Sequence, residues 1–171
     1  LGNILTGSGT EAPGVAVYDI SDPINPVLLD SRVDGTNLNY TALIYGSRIY
    51  NCERAQIRVY DFSNPNNIQL IGSVATGGTP RYLVFKDGKG YCAPGNNTIK
   101  VFDANTLTVT QTINPDGQVM DFVYPLGNML LVAGGGSGTA TNGARFMALQ
   151  QAPDTTGPAV VYGLPTNNAV N

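Results

Sequence analysis

Apolar and polar residues alternate in short runs along most of the chain. GVAVYDI at 14–20, QIRVYDF at 56–62 and TIKVFD at 98–103 follow the alternation of half-buried strands. Gly, Pro, Asn and Ser end each run before a helix could form, and no segment has a helical period of 3.6. The strands predicted after the opening turn and strand of 1–5 are 14–20, 27–33, 39–45, 48–53, 56–62, 68–74, 81–85, 90–93, 98–103, 106–113, 119–124, 129–133, 145–149 and 159–164. The pattern therefore predicts an all-β chain.

An aromatic–aspartate pair recurs at intervals of 42 residues, as Tyr18-Asp19, Tyr60-Asp61 and Phe102-Asp103. A fixed period of this size, with about four strands in each unit, is typical of β-propeller blades. A β-sandwich also uses short antiparallel strands, but it does not explain a constant repeat. We therefore predict one β-propeller domain over 1–171, of about four blades with four antiparallel strands each. It is either a whole ring or a segment of a larger one, with repeat units 1–38, 39–80, 81–117 and 118–171.

The first two copies of the motif carry a family resemblance. VAVYDISDPINPV (15–27) and IRVYDFSNPNNIQL (57–70) resemble the signature of LVIVD-repeat β-propellers. The third copy, IKVFDANTLTV (99–109), has lost the Ser and Pro and is similar to YVTN-type repeats, and RFMALQQAPD (145–154) has also lost the Asp. The resemblance implies a propeller and leaves activity open, because such scaffolds serve adhesion, docking and occasionally catalysis. Since these families usually have more than four blades, it also implies a fragment, an oligomer or an unusually small ring.

The charge of the chain limits its partners. Only 12% of residues are charged, the net charge is −3, and the nine basic residues are scattered. Binding to nucleic acid or to an acidic membrane surface needs a basic patch, so neither is expected. No apolar run reaches the roughly 18 residues of a membrane span, so no membrane insertion is expected. Low charge with abundant Asn, Thr and Gly favours an extracellular location or the surface of a virus particle.

Catalytic and metal-binding patterns are absent from the sequence. Without histidine, Ser-His and Cys-His nucleophiles and the usual zinc sites are excluded. The glycine-rich segments 6–9 and 134–138 lack the lysine of a phosphate-binding loop. We therefore predict that the chain is not an enzyme and binds no metal or cofactor.

Two groups of residues are candidates for a role. Asp19, Asp61 and Asp103 could form a ring of carboxylates, but their position after each strand predicts turn caps. In a propeller, the innermost strand of each blade begins near the central channel. The first residues of these strands could form a polar, aromatic-lined pocket at the mouth of the channel, or the tyrosines could pack between blades. These ligand-binding candidates are Asn39, Tyr40, Arg81, Tyr82 and Asp121.

The two cysteines, Cys52 and Cys92, lie one residue out of step in neighbouring repeats. A step of one residue turns a side chain to the opposite face of its sheet, so the two could face each other between blades. Two separately buried thiols are the alternative.

These observations predict a non-enzymatic binding or assembly module. Its loops 6–14, 34–38, 75–80 and 134–143 would be presented to a protein partner. Exposed apolar faces at the ends of a partial ring would be covered by the N-terminal strands or by another chain, either a protein partner or a second copy. The alternatives are a lectin-like propeller that binds a glycan, and a fragment of a propeller enzyme whose active site lies elsewhere.

Overall fold

The computed structural model describes residues 4–6, 14–33, 39–115, 119–134 and 145–150. These residues form four small antiparallel sheets. Sheet 1 contains β1 (Ile4–Thr6), β2 (Gly14–Asp19) and β3 (Val27–Val33). Sheet 2 contains β4 (Asn39–Tyr45), β5 (Arg48–Glu53), β6 (Gln56–Asp61) and β7 (Gln69–Ala75). Sheet 3 contains β8 (Tyr82–Lys86), β9 (Lys89–Ala93), β10 (Ile99–Asp103) and β11 (Val109–Ile113). Sheet 4 contains β12 (Phe122–Leu126), β13 (Met129–Gly134) and β14 (Arg145–Gln150).

Each sheet is a meander in which every strand pairs with its neighbours in sequence. Tight turns at 46–47, 87–88 and 127–128 join the first two strands of sheets 2, 3 and 4. Gly46, Gly88 and Gly127 take a positive φ there, which glycine adopts without a steric penalty. The prediction of an all-β chain is confirmed, and the described residues contain no helix.

The three copies of the repeated motif lie in three different sheets, as β2, β6 and β10. Each has the same irregularity at its valine–aromatic step, where the outer strand carries one extra residue. The extra residues are Leu29, Ile71 and Thr110. The interval of 42 residues therefore corresponds to a repeated sheet with a repeated bulge.

The cores lie between successive sheets. Val17 of sheet 1 and Tyr60 of sheet 2 belong to one buried cluster. Tyr50 of sheet 2 and Phe102 of sheet 3 belong to a second, in which Phe85 lies between them with its ring centroid 4.5 Å from that of Tyr50. A third joins sheets 3 and 4. Each inner sheet is thus covered on both faces, as stacked sheets must be to bury their apolar side chains.

Packing contacts connect the sheets in chain order. β4 contacts β1 and β8, and β12 contacts β8 and β9. Among the described strands, no pair in extended contact joins sheet 1 to sheet 4, so they show no closed ring. The predicted strand 159–164, loop 34–38 and most of loops 6–14 and 134–143 lie outside the described residues.

Candidate functional site

Arg81 and Asp121 meet just before the first strands of sheets 3 and 4, β8 and β12. The Arg81 guanidinium lies 3.4 Å from the Asp121 carboxylate, and both side chains are partly open to solvent. Next to them, the rings of Tyr82 and Phe122 are tilted, with centroids 4.5 Å apart. The ion pair between Arg81 and Asp121 is exposed, and exposed ion pairs contribute little to stability. It therefore places charge at this edge without holding sheets 3 and 4 together.

Asn39 and Tyr40 lie at the start of β4 and take different roles. Asn39 is buried, and its Nδ2 donates to the carbonyl of Gly14 in sheet 1 over 2.7 Å. Tyr40 is exposed. No hydrogen bond or ion pair within the described part of the chain joins either residue to Arg81 or Asp121. The five predicted channel residues are therefore divided between one exposed ion pair, one aromatic contact, one buried amide and one exposed tyrosine.

A buried polar cluster, not foreseen from the sequence, surrounds Glu53 at the end of β5. The fully buried Glu53 carboxylate lies 3.0 Å from Nε of Arg58. It accepts hydrogen bonds from Asn51 Nδ2 over 3.3 Å and Gln56 Nε2 over 3.2 Å. Asn51 Nδ2 also donates to Asn39 Oδ1 over 3.1 Å. We name Asn39, Asn51, Glu53, Gln56 and Arg58 the Glu53 cluster.

The Glu53 cluster lies on the face of sheet 2 that is turned to sheet 1. Asn39 connects it to Gly14 across the interface, and a buried ionised carboxylate is tolerated only when it is paired. Asn51 Oδ1 is buried and accepts no hydrogen bond within the described part of the chain. In the other hairpins, Cys92 and Val132 take the place of Asn51, and this difference between repeats was the available signal.

The three aspartates that end the motif strands, which we name the turn carboxylates, bond to the turns that follow. Asp19 and Asp61 each accept the backbone N–H two residues ahead, over 2.8 Å. Asp103 accepts the N–H groups of Asn105 and Thr106, both over 2.8 Å. These bonds lower the pKa of each carboxyl; the largest contributions come from the Ser21 hydroxyl, the Ser63 N–H and the Thr106 N–H respectively. The carboxylates therefore serve as caps of the turn that follows each strand.

The two cysteines are free thiols in the same buried cluster between sheets 2 and 3. Burial raises the pKa of Cys52 to about 12 and that of Cys92 well above its usual value. Both thiols are therefore protonated and shielded at neutral pH. In the described residues, no three Asp, Glu, Cys or His side chains group as metal ligands would.

A cleft of about 620 Å³ opens between the outer turns of sheets 1 and 2. Leu29, Phe62 and Pro65 supply apolar walls, and Asp19, Ser21 and Ser63 are among its polar lining residues. An aromatic wall beside hydroxyl and carboxylate groups can bind a small polar molecule that has one apolar face.

Comparison with known proteins gives structural likenesses only. No protein-family model matches the sequence, and no curated protein matches it. Among solved structures, the computationally designed Ika4 protein is similar at a TM-score of 0.62 and 13% identity, covering 86% of this chain and 86% of its own. The computationally designed Ika8 protein has a TM-score of 0.59 and 14% identity, covering 75% of this chain and 42% of its own.

A chain in a crystal structure of the mitotic checkpoint complex is also similar. Its TM-score is 0.60 at 16% identity, and the match covers 72% of this chain and 41% of that chain. The chain thus spans less than half of the Ika8 and checkpoint chains, and most of the Ika4 chain. At this level of identity the likeness concerns the fold: four small antiparallel sheets arranged in series.

Proposed function

We propose that the chain is a β-propeller scaffold that binds a protein partner and has no enzymatic activity. The meandering sheets, their stacking in chain order and the contacts between their first strands support the propeller architecture. We also propose a location outside the cell or on a particle surface, on the basis of the low charge of the sequence.

The observation that supports a protein partner is a set of exposed apolar side chains on and near the last strands of sheets 1 and 2, β3 and β7. Large apolar residues that are at least two-fifths exposed lie on β3 and β7, and one in the turn before β3 is 85% exposed. We name those in the first three positions of β3 and β7, together with the turn residue, the rim patch: Ile24, Val27, Leu28, Leu70 and Ile71. Single exposed apolar residues are ordinary, but several on neighbouring strands are typical of an interaction surface.

The two outer strands that carry the rim patch are fixed to each other. Asp30 of β3 accepts the N–H of Ile68 over 2.7 Å, and Arg32 Nε donates to the Ile68 carbonyl over 2.7 Å. This double contact holds the start of β7 beside β3. The rim patch is therefore displayed on a rigid base, which reduces the entropy cost of binding a partner.

The polar groups nearest the candidate sites are already engaged in structure. The turn carboxylates accept local N–H groups, and Glu53 pairs with Arg58. The sequence also lacks histidine, the commonest general base. These features favour binding over catalysis.

Retention of a partner by variants of the rim patch tests this proposal. Tagged protein is incubated with an extract of its natural source, and the retained proteins are quantified by mass spectrometry. The Leu70→Asp variant should lose the partner, since a charge on an apolar contact must be desolvated, whereas Gln111→Asp on the outer strand of sheet 3 should keep it. Because the contact is apolar, retention should change little between low and high salt. Equal retention by wild type and Leu70→Asp would contradict the proposal.

A second candidate function is the binding of a saccharide, favoured by the cleft beside Phe62. Sugar rings stack their C–H faces on aromatic side chains and donate hydroxyl hydrogens to carboxylates, and the cleft supplies both kinds of group. A glycan array should then give hits that are lost in Phe62→Ala and kept in Leu70→Asp. An array without hits at millimolar ligand would remove this candidate.

A further inference from the structure

The repeated sheets bury equivalent positions, except at the two ends of the described stack. We call the face that a sheet turns to the next sheet its forward face, and the opposite one its backward face. Tyr50 and Tyr91 lie on the forward faces of sheets 2 and 3 and are 0% and 5% exposed. Leu131, at the same position of sheet 4, is only half-buried. Among the described residues, the forward face of sheet 4 thus lacks the cover that sheets 2 and 3 have.

The register of sheet 4 defines this open face. Val123 pairs with Val132 and Pro125 with Leu130, and these side chains are buried on the side of sheet 3. The alternate positions Tyr124, Leu126, Met129 and Leu131 therefore point to the opposite side. The first three are exposed, with Tyr124 at 44%, and none of the four is charged.

The backward face of sheet 1 is open in the complementary way. Tyr60 and Phe102 lie on the backward faces of sheets 2 and 3, and both are 0% exposed. Tyr18 takes the same position in sheet 1, and it is only half-buried. Within the part of the chain that the structure describes, one end of the stack therefore has a forward face without a cover, and the other end has a backward face without a cover.

We propose that a second copy of this chain covers these faces, with sheet 4 of each copy packed on sheet 1 of the other. This inference rests on the proposed propeller and identifies a partner of its end faces. Forward-to-backward packing is the contact that already joins sheets 1 to 2, 2 to 3 and 3 to 4, so the assembly continues an existing interface. A head-to-tail contact of this kind closes when the summed rotation completes a ring, and two copies would contribute eight sheets.

Two of the three similar structures, Ika8 and the checkpoint chain, have about the size of two copies, whereas Ika4 has the size of one. The matched region takes up 42% of the Ika8 chain and 41% of the checkpoint chain, so a second set of four sheets supplies the amount of chain that these structures have. Within one copy, sheets 1 and 4 have no described strands in extended contact. The second copy is therefore a better-fitting occupant than the first sheet of the same chain.

The solution mass of the full 171-residue protein is the first test. Light scattering after size-exclusion chromatography should give twice the chain mass of 18.0 kDa. A monomer at all concentrations overturns the inference, because no second copy would then cover the end faces. Masses that grow with concentration also overturn it, because the contact would then propagate without closing.

Variants of the end faces test the arrangement. Tyr124→Lys and Tyr18→Lys should each weaken the dimer at least about a hundredfold, since each introduces an unpaired charge into both contacts of a two-contact ring. Leu70→Lys, at a leucine with a similar exposed fraction of 48%, should leave the dimer intact. Circular dichroism and thermal unfolding show that each variant is folded.

Mixing the variants separates a head-to-tail contact from other symmetric ones. A mixture of Tyr18→Lys and Tyr124→Lys retains one unchanged contact, so dimer should reappear on mixing. If Tyr18→Lys alone remains dimeric, or if mixing restores nothing, the proposed arrangement is wrong. Partner retention by the rim patch is scored separately with Leu70→Asp, so failure of the dimer and failure of the proposed function are distinguishable.

Discussion

Replacing Arg58 by alanine removes the cation that lies 3.0 Å from the Glu53 carboxylate. The Glu53 side chain is fully buried, and among the described residues it keeps only the amide donors of Asn51 and Gln56 in the variant. Breaking a buried pair by removing one partner costs about 3–5 kcal/mol, because the remaining charge stays desolvated. Since the Arg58 side chain is 19% exposed and two donors remain, we expect the lower end, about 3 kcal/mol.

Urea denaturation followed by circular dichroism measures this loss. With a urea dependence of about 2 kcal/mol/M, the midpoint should fall by roughly 1.5 M. Arg54→Ala changes an exposed arginine on the same hairpin and should shift the free energy of unfolding by no more than about 0.5 kcal/mol.

A double variant separates the pair from the packing of its side chains. Glu53→Gln with Arg58→Met removes both charges at similar volume, so it should be closer in stability to wild type than Arg58→Ala is. An Arg58→Ala loss below about 1 kcal/mol would refute the reasoning. So would a double variant that is as unstable as the single one.

Three further predictions concern the turns, the thiols and the core. Because hydrogen bonds hold the pKa of each turn carboxylate below its ordinary value of 3.8, their stabilisation is present above that pH and is lost as pH falls through the folded-state pKa. The urea concentration at the midpoint should therefore decrease when the pH is lowered below about 4, and it should decrease less steeply in Asp103→Asn. A pH dependence in Asp103→Asn that equals that of wild type would argue against the turn bonds. Cys52 and Cys92 should react with a thiol reagent at pH 8 only after denaturant is added, and fast labelling of the native protein would contradict their burial. Gly90→Ala places a methyl group 2.2 Å from the ring of Phe102 and should cost about 1–3 kcal/mol, which Phe102→Leu in the same chain should partly restore; an additive double variant would contradict the clash.

The strand positions could be predicted because short alternating runs are bounded by turn residues. The predicted strands 27–33, 39–45 and 48–53 coincide with β3, β4 and β5. The prediction for β12 began and ended too early: 119–124 against Phe122–Leu126. Pro125 pairs with Leu130 inside the strand, whereas Met120 lies before it and donates its N–H to the carbonyl of Asn96 in sheet 3.

The third repeat shows a second limit of the pattern. The run 106–113 alternates except at Gln111, yet β11 begins only at Val109. Leu107 has a φ of 59° and lies in a turn whose N–H groups bond to Asp103. Its side chain packs on the core between sheets 2 and 3, so tertiary burial prevailed over strand preference.

The alternation of apolar and polar residues could not reveal the Glu53 cluster, because that pattern assumes that one face of the sheet is exposed to solvent. β5 is buried at every position from Ile49 to Glu53, since sheets cover it on both sides. Polar residues of β5 therefore do not indicate a solvent-exposed face, and their hydrogen-bond partners come from other strands. The predicted channel pocket depended on inner-strand residues converging, and the structure pairs only Arg81 with Asp121 among the five.

The central claim is that each repeat forms its own sheet and that the sheets stack in chain order. Nuclear Overhauser effects in the labelled 18.0 kDa protein test it most directly. We predict backbone contacts from β6 to β5 and β7, together with ring contacts between Tyr50 and Phe85 across sheets 2 and 3. Backbone contacts among β2, β6 and β10 would place the three motif strands in one sheet and contradict the account.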